Sequence, residues 1–183
     1  MNLLMLIVDD FEDTECIATL DVLVRGGDNI TLASLMKRKE IKPKLGRTIN
    51  VDALIEQIDY RKFDGVIIPG GPGSFKIMPN IMLVEEIIRY FADNNKLVAS
   101  ICAAPHLVGK LGYFKNREYT VHPGFEDQII GGTYLRELGV VRSDNFITAK
   151  SMYYSIAFGL AIHEYYYGKT SRDALEKSCM GEK

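Results

Sequence analysis

Residues 3–8, Leu3-Leu4-Met5-Leu6-Ile7-Val8, form an unbroken apolar run that stops at Asp9-Asp10. A run of strand length with no polar alternation has no face to give to water, so it belongs in a sheet covered on both sides. The pattern recurs at residues 65–69, which enter the turn Gly70-Gly71-Pro72-Gly73, and at residues 96–101, which end at Cys102. Between these runs apolar residues fall at helical spacing. Cys16, Ile17, Leu20 and Leu23 are closed by the stop signal Gly26-Gly27, and a second helix is expected over 81–92. Residues 30–35 read as a strand, 37–44 as a charged hairpin-like stretch, 48–51 as a short strand and 53–58 as a helix. Beyond Cys102 the pattern predicts a helix over 103–111, strands at 118–121, 139–141 and 146–149, and helices to the end. Strand and helix in alternation imply a largely parallel sheet with right-handed crossovers. The expected fold is an α/β, doubly wound sheet sandwiched by helices, in one domain over 1–183, since 183 residues suit a single core.

Several functions drop out on composition. No apolar run approaches the ~20 residues of a membrane-spanning helix. The first run meets two aspartates instead of a cleavage site, so no secretory signal is expected and the expected location is cytoplasmic. Lys and Arg total 22 against 24 Asp and Glu, and a net charge of −2 offers no footprint for nucleic acid. Cys16, Cys102 and Cys179 lack paired spacing, which argues against a disulfide framework and against a metal site.

In sheets of this type ligands bind outside the carboxyl ends of the strands. The loops leaving those ends carry Asp9, Asp10, Glu12 and Glu15; then Gly70 and Gly71; then Cys102; then His122. Cys102 stands between a buried strand and a helix, in a turn of small residues, Ser100-Ile101-Cys102-Ala103-Ala104-Pro105. That is the setting of a nucleophile elbow, with the Ala103 amide placed where an oxyanion would form and a helix N-terminus expected to lower the thiol pKa. Free cysteines otherwise pack as small hydrophobes, the reading taken for Cys16 and Cys179. Gly70-Gly71 offers a second amide, or is a plain turn. His122, held by the proline after it, is either an acid–base group or a structural loop residue. His106 and His163 fall inside helices and receive no role. An acid held beside Cys102 would have a raised pKa, and any of the four acids after the first strand can fill that place or simply serve the helix dipole.

Taken together, these segments resemble the DJ-1/ThiJ/PfpI superfamily in its DJ-1-like branch. The likeness rests on Glu15 in Phe11-Glu12-Asp13-Thr14-Glu15, Asp21-Val22-Leu23 with Arg25-Gly26-Gly27, Gly46-Arg47-Thr48-Ile49, Ile68-Pro69-Gly70-Gly71, Ile101-Cys102-Ala103, Thr120-Val121-His122-Pro123 and Phe158-Gly159-Leu160-Ala161-Ile162. The resemblance implies a flavodoxin-like sandwich, a homodimer and a central Cys102. It makes Glu15 the acid bonded to the thiol, His122 the nearby histidine, Gly71 and Ala103 the amides facing sulfur, and Arg25 and Arg47 arginines around the site and dimer edge. It also implies cofactor-independent chemistry on small aldehydes, methylglyoxal to lactate or removal of early glycation adducts, in stress protection. The alternative is a redox sensor or chaperone working through oxidation of Cys102. An amidase or peptidase ranks last, because Ala103 occupies the place where the peptidase-like branch has histidine. Where the DJ-1-like branch has a Gly-Pro turn this chain reads Lys150-Ser151-Met152-Tyr153-Tyr154, which predicts a bulkier pocket wall.

Overall fold

A computed structural model describes residues 1–182. In chain order the elements are β1 (Asn2–Ile7), α1 (Asp13–Arg25), β2 (Asn29–Ser34), β3 (Glu40–Ile41), β4 (Ile49–Asn50), β5 (Ala53–Leu54), β6 (Gly65–Ile68), α2 (Pro72–Lys76), α3 (Met82–Asp93), β7 (Leu97–Ile101), α4 (Pro105–Gly109), β8 (Glu118–Tyr119), β9 (Thr133–Tyr134), β10 (Val140–Ser143), β11 (Phe146–Ala149) and α5 (Ser155–Cys179). Seven strands form one sheet in the order β10-β11-β7-β6-β1-β2-β5. All neighbours are parallel except β10 and β11. This is a flavodoxin-like α/β fold, the sandwich the resemblance implies, with the buried parallel strands that the apolar runs predict.

The run after Asn2 divides by residue parity. Leu3, Met5 and Ile7 join Cys16, Leu23, Phe158 and Ile162 of α1 and α5 on one face, while Leu4, Leu6 and Val8 join Val84, Ile87, Ile88 and Phe91 around α3 on the other. The two helices of the first layer cross closely at Gly159, where a Cβ would come within 3.0 Å of Val22. The chain leaves β1 toward β2 on one side and later returns as β6 on the other, so the loops after β1 and β6 part at their carboxyl ends and open the crevice such topology makes.

Local departures have local causes. The helix expected over 53–58 is instead β5 followed by one 3-10 turn, Ile55–Gln57, because Asp52 accepts the Leu32 amide at 2.8 Å and draws the segment alongside β2. The strand expected at 48–51 is β4, paired antiparallel with β3 in a ribbon outside the main sheet, and β8 pairs with β9 in another. The helix expected over 103–111 shortens to α4, and α5 breaks at Gly168, whose φ of 79° lies in the left-handed region. Among the described residues no helix is long and apolar enough to cross a membrane.

Candidate active site

Cys102 leaves β7 with a φ of 63°, a conformation that costs a side-chain-bearing residue about 1–3 kcal/mol and survives only where its surroundings over-determine it. Here they do. The Cys102 amide donates to the Ala149 carbonyl at 2.8 Å, its carbonyl accepts the His122 amide at 2.8 Å, and the Ala104 amide closes the turn on Ile101 at 3.1 Å. Pro105 has no N–H to give back to the turn, which leaves the Cys102 carbonyl free for His122.

The glycine loop fits against this elbow by close approach. Gly70 donates its amide to Glu15 Oε2 at 2.8 Å and accepts the Glu12 amide at 3.1 Å. A Cβ on Gly70 would sit 2.6 Å from Cys102 Cβ and 2.7 Å from Glu15 Oε2, and one on Gly71, whose φ is 86°, would sit 2.5 Å from the Glu12 nitrogen. Only glycine lets the β1 loop, the β6 loop and the elbow share this space.

The geometry separates the four acids. Asp9 pairs with Arg38 and accepts the Lys42 amide, and Glu12 caps α1 by accepting the Glu15 amide at 2.8 Å. Asp10 uses its backbone, its amide donating to the Lys42 carbonyl and its carbonyl accepting from Gly73. Glu15 alone turns inward to Gly70 and the thiol, 1% exposed, with its second oxygen, Oε1, buried and without a hydrogen-bond partner. Burial pushes the Glu15 carboxyl up to about 7.

The expectation of a lowered thiol pKa is corrected. α4 has only five residues, too short for a strong dipole. Burial first, then the charge of Glu15, push the Cys102 thiol up to about 12, against a smaller pull from the Ala103 and Gly71 amides that face the sulfur. Two anions cannot share this space cheaply. A proton on Glu15 removes the opposing charge and turns the carboxyl into a hydrogen-bond donor, so the two groups titrate as a pair in which the doubly ionised state is disfavoured.

A DJ-1/PfpI family model matches residues 1–165, and the elbow, glycine loop and inward acid all lie within that span. The chain belongs to the DJ-1/PfpI family. It is 30% identical over 178 residues to protein dj-1beta of Drosophila melanogaster, covering 97% of this chain and 95% of that protein. The crystal structure of the same fly protein superposes with a TM-score of 0.91 at 29% identity, covering 98% of this chain and 97% of that one. A glutathione-independent glyoxalase of Caenorhabditis elegans is 32% identical, covering 96% of this chain and 93% of that protein. A deglycase of Pyrococcus abyssi is 33% identical, covering 82% of this chain and 90% of that protein.

Other residues singled out by family resemblance are placed less uniformly. His122 is joined to the elbow through its backbone, while its ring is exposed with Nδ1 3.0 Å from the Pro123 carbonyl. Arg47 is exposed in the loop that docks on the β1 loop, where the Lys44 amide donates to the Phe11 carbonyl and the Leu45 amide to Asp13. Arg25 is not brought to Cys102: it pairs with Asp21 in the last turn of α1, about 15 Å along the helix from Glu15. Tyr154 packs on Gly139, where a Cβ would run into its ring, and against the same apolar cluster as Cys102, while Tyr153 is 81% exposed. Sequence reasoning passed over His106, which is buried just after the elbow with Nδ1 2.8 Å from the Ala103 carbonyl. Its signal was position: side chains in the first turn of a helix point back toward its N-terminus. Among the described residues no group of His, Cys, Asp and Glu is placed to hold a metal ion.

Proposed function

We propose that this chain is a cysteine-dependent enzyme of the DJ-1 type that converts small α-oxoaldehydes to hydroxy acids, with methylglyoxal to lactate as the test reaction. The observation that carries the reading is Glu15, buried with one oxygen on Gly70 and the other unpartnered, beside a thiol on a strained elbow. The names of the worm glyoxalase and the archaeal deglycase support the substrate class.

Cys102 Sγ passes its proton to Glu15 and adds to the aldehyde carbon, the Ala103 and Gly71 amides stabilise the new alkoxide, and Glu15 returns the proton to that oxygen, giving a neutral hemithioacetal and a carboxylate free to take the next proton. Removal of the hydrogen from that carbon as a proton, and its delivery to the adjacent carbonyl carbon, oxidises the first carbon and reduces the second, leaving a 2-hydroxyacyl thioester. Water then cleaves the thioester to the hydroxy acid and the free thiol. No net oxidant or reductant is consumed. A carboxyl pushed up to about 7 both takes and returns a proton near neutral pH, so Glu15 serves as the carrier ahead of His122, whose ring turns to Pro123.

The test is methylglyoxal consumption with chiral lactate detection, comparing wild type with Cys102→Ser, both purified from a host lacking its own glyoxalases. Turnover lost in the variant supports the reading; equal rates overturn it. The same unpartnered Oε1 favours a second reading, in which Cys102 is oxidised to a sulfinate that receives a hydrogen bond from protonated Glu15. Peroxide titration read by intact mass separates the two, since a sensor takes up oxygen once per thiol while an enzyme turns over. We also propose a homodimer formed through the face where Ile17 and Val24 of α1 and Ile156 of α5 are exposed.

A further inference from the structure

The carbonyl of Ala103 accepts two hydrogen bonds from one residue: the His106 amide at 3.1 Å and the His106 ring nitrogen Nδ1 at 2.8 Å. A carbonyl oxygen only accepts, so Nδ1 carries the hydrogen. The residue is 2% exposed, and burial, against the pull of the Ala103 hydrogen bond and with a smaller contribution from Lys110, holds the ring below its ordinary pKa. Its nearest aromatic neighbour is Phe125 at 5.7 Å between ring centres, and Phe125 in turn lies 5.1 Å from Phe75 of α2 and 6.2 Å from His122. One imidazole thus grips the residue after the nucleophile and rests on the loop that holds the nucleophile's own carbonyl.

We infer that His106 is a positioning residue: its Nδ1–H fixes the Ala103 carbonyl, locks the torsions of Ala103, and keeps the Ala103 amide aimed at Cys102 Sγ. The groups that set the thiol's charge state directly are Glu15 and the Ala103 and Gly71 amides; His106 acts on it through one of those amides. The inference rests on the proposed thiol chemistry for its effect on turnover, and the reactivity of the thiol tests it independently.

The experiment is the second-order rate of iodoacetamide alkylation of Cys102 from pH 6 to 9, read by intact mass in a Cys179→Ser background, for wild type, His106→Leu, His106→Ala and His106→Asn. Loss of the ring donor in the Leu and Ala variants slows alkylation about three- to ten-fold at pH 7.5, the net worth of one buried hydrogen bond expressed as thiolate fraction. Asn, which carries an amide N–H close to the Nδ1 position, stays within about two-fold of wild type, an expectation from the same hydrogen bond being kept. In methylglyoxal turnover kcat falls in parallel and KM is unchanged. Leu and Ala variants that alkylate at the wild-type rate, or an Asn variant as slow as Leu, overturn the inference. Should Leu fail to fold, Ala carries the comparison, and nitrogen NMR of wild-type protein gives an answer without any variant: hydrogen on Nε2 instead of Nδ1 of His106 refutes it. Alkylation that follows the expected order in a protein without turnover leaves His106 in place and removes the carbonyl chemistry.

Discussion

Glu15→Gln removes one ionisable group from the middle of the site and leaves an oxygen for the Gly70 amide. In the wild type the carboxyl has an ordinary value of 4.5 when exposed in the unfolded chain and about 7 in the folded protein. Between those values the folded state keeps a proton that the unfolded state has released, so stability falls as pH rises through that window and levels off above it. At 1.36 kcal/mol per unit the whole penalty is about 3 kcal/mol, or roughly 6–12 °C in Tm for a chain of this size. Gln does not ionise and carries no such penalty. Urea unfolding of both proteins at pH 5, 6, 7 and 8 tests this. The Gln variant should gain on wild type by about 2.5 kcal/mol from pH 5 to 8, most of it before pH 7. Stability curves that run parallel from pH 5 to 8 refute the reasoning, because they require Glu15 to titrate alike in both states.

Gly70→Ala should cost about 2 kcal/mol, roughly 4–8 °C in Tm, and slow Cys102 alkylation, since the new methyl carbon meets Cys102 Cβ at 2.6 Å; unchanged melting and alkylation would contradict the close packing. Asp28→Asn should destabilise by about 2–4 kcal/mol, because the buried Asp28 carboxylate accepts from Tyr167 at 2.9 Å and His163 at 3.3 Å, and a thermal melt reads the loss. Ile156→Lys should convert a dimer to a monomer in sedimentation velocity, with the monomer keeping its secondary structure; a wild type that sediments as a monomer rules out the proposed interface.

The central strands and the elbow were legible because their signals are short-range. Leu3 to Val8 cannot alternate between water and core, so their burial on both faces follows from the run itself. Cys102 between an apolar strand and Ala103-Ala104-Pro105 marks a sharp turn in any context. From the residue pattern alone the choice among Asp9, Asp10, Glu12 and Glu15 was not legible, and only the family resemblance singled out Glu15, since the choice depends on which carboxyl finds the Gly70 amide, a contact between residues far apart in the chain. The thiol pKa departs from the sequence expectation for a related reason: the helix expected to lower it is short, burial of the thiol raises it most, and the Glu15 charge that adds to the rise arrives from α1. Residues 53–58 were read as helix from spacing that a two-residue edge strand and one turn satisfy equally.

The elbow's backbone is held by chain that is made after it. Cys102 emerges from synthesis before His122 and before Ala149, yet its amide and carbonyl are satisfied only by those two residues. Until β11 docks beside β7, the turn has its local Ala104-to-Ile101 bond but lacks the Ala149 carbonyl that fixes the Cys102 amide. The full set of bonds around Cys102 therefore needs the chain as far as Ala149. A nascent or partly unfolded chain lacks the amides and the acid that surround Cys102 in the folded protein, and a thiol whose ionisation is suppressed relative to an exposed one reports that the sheet has closed.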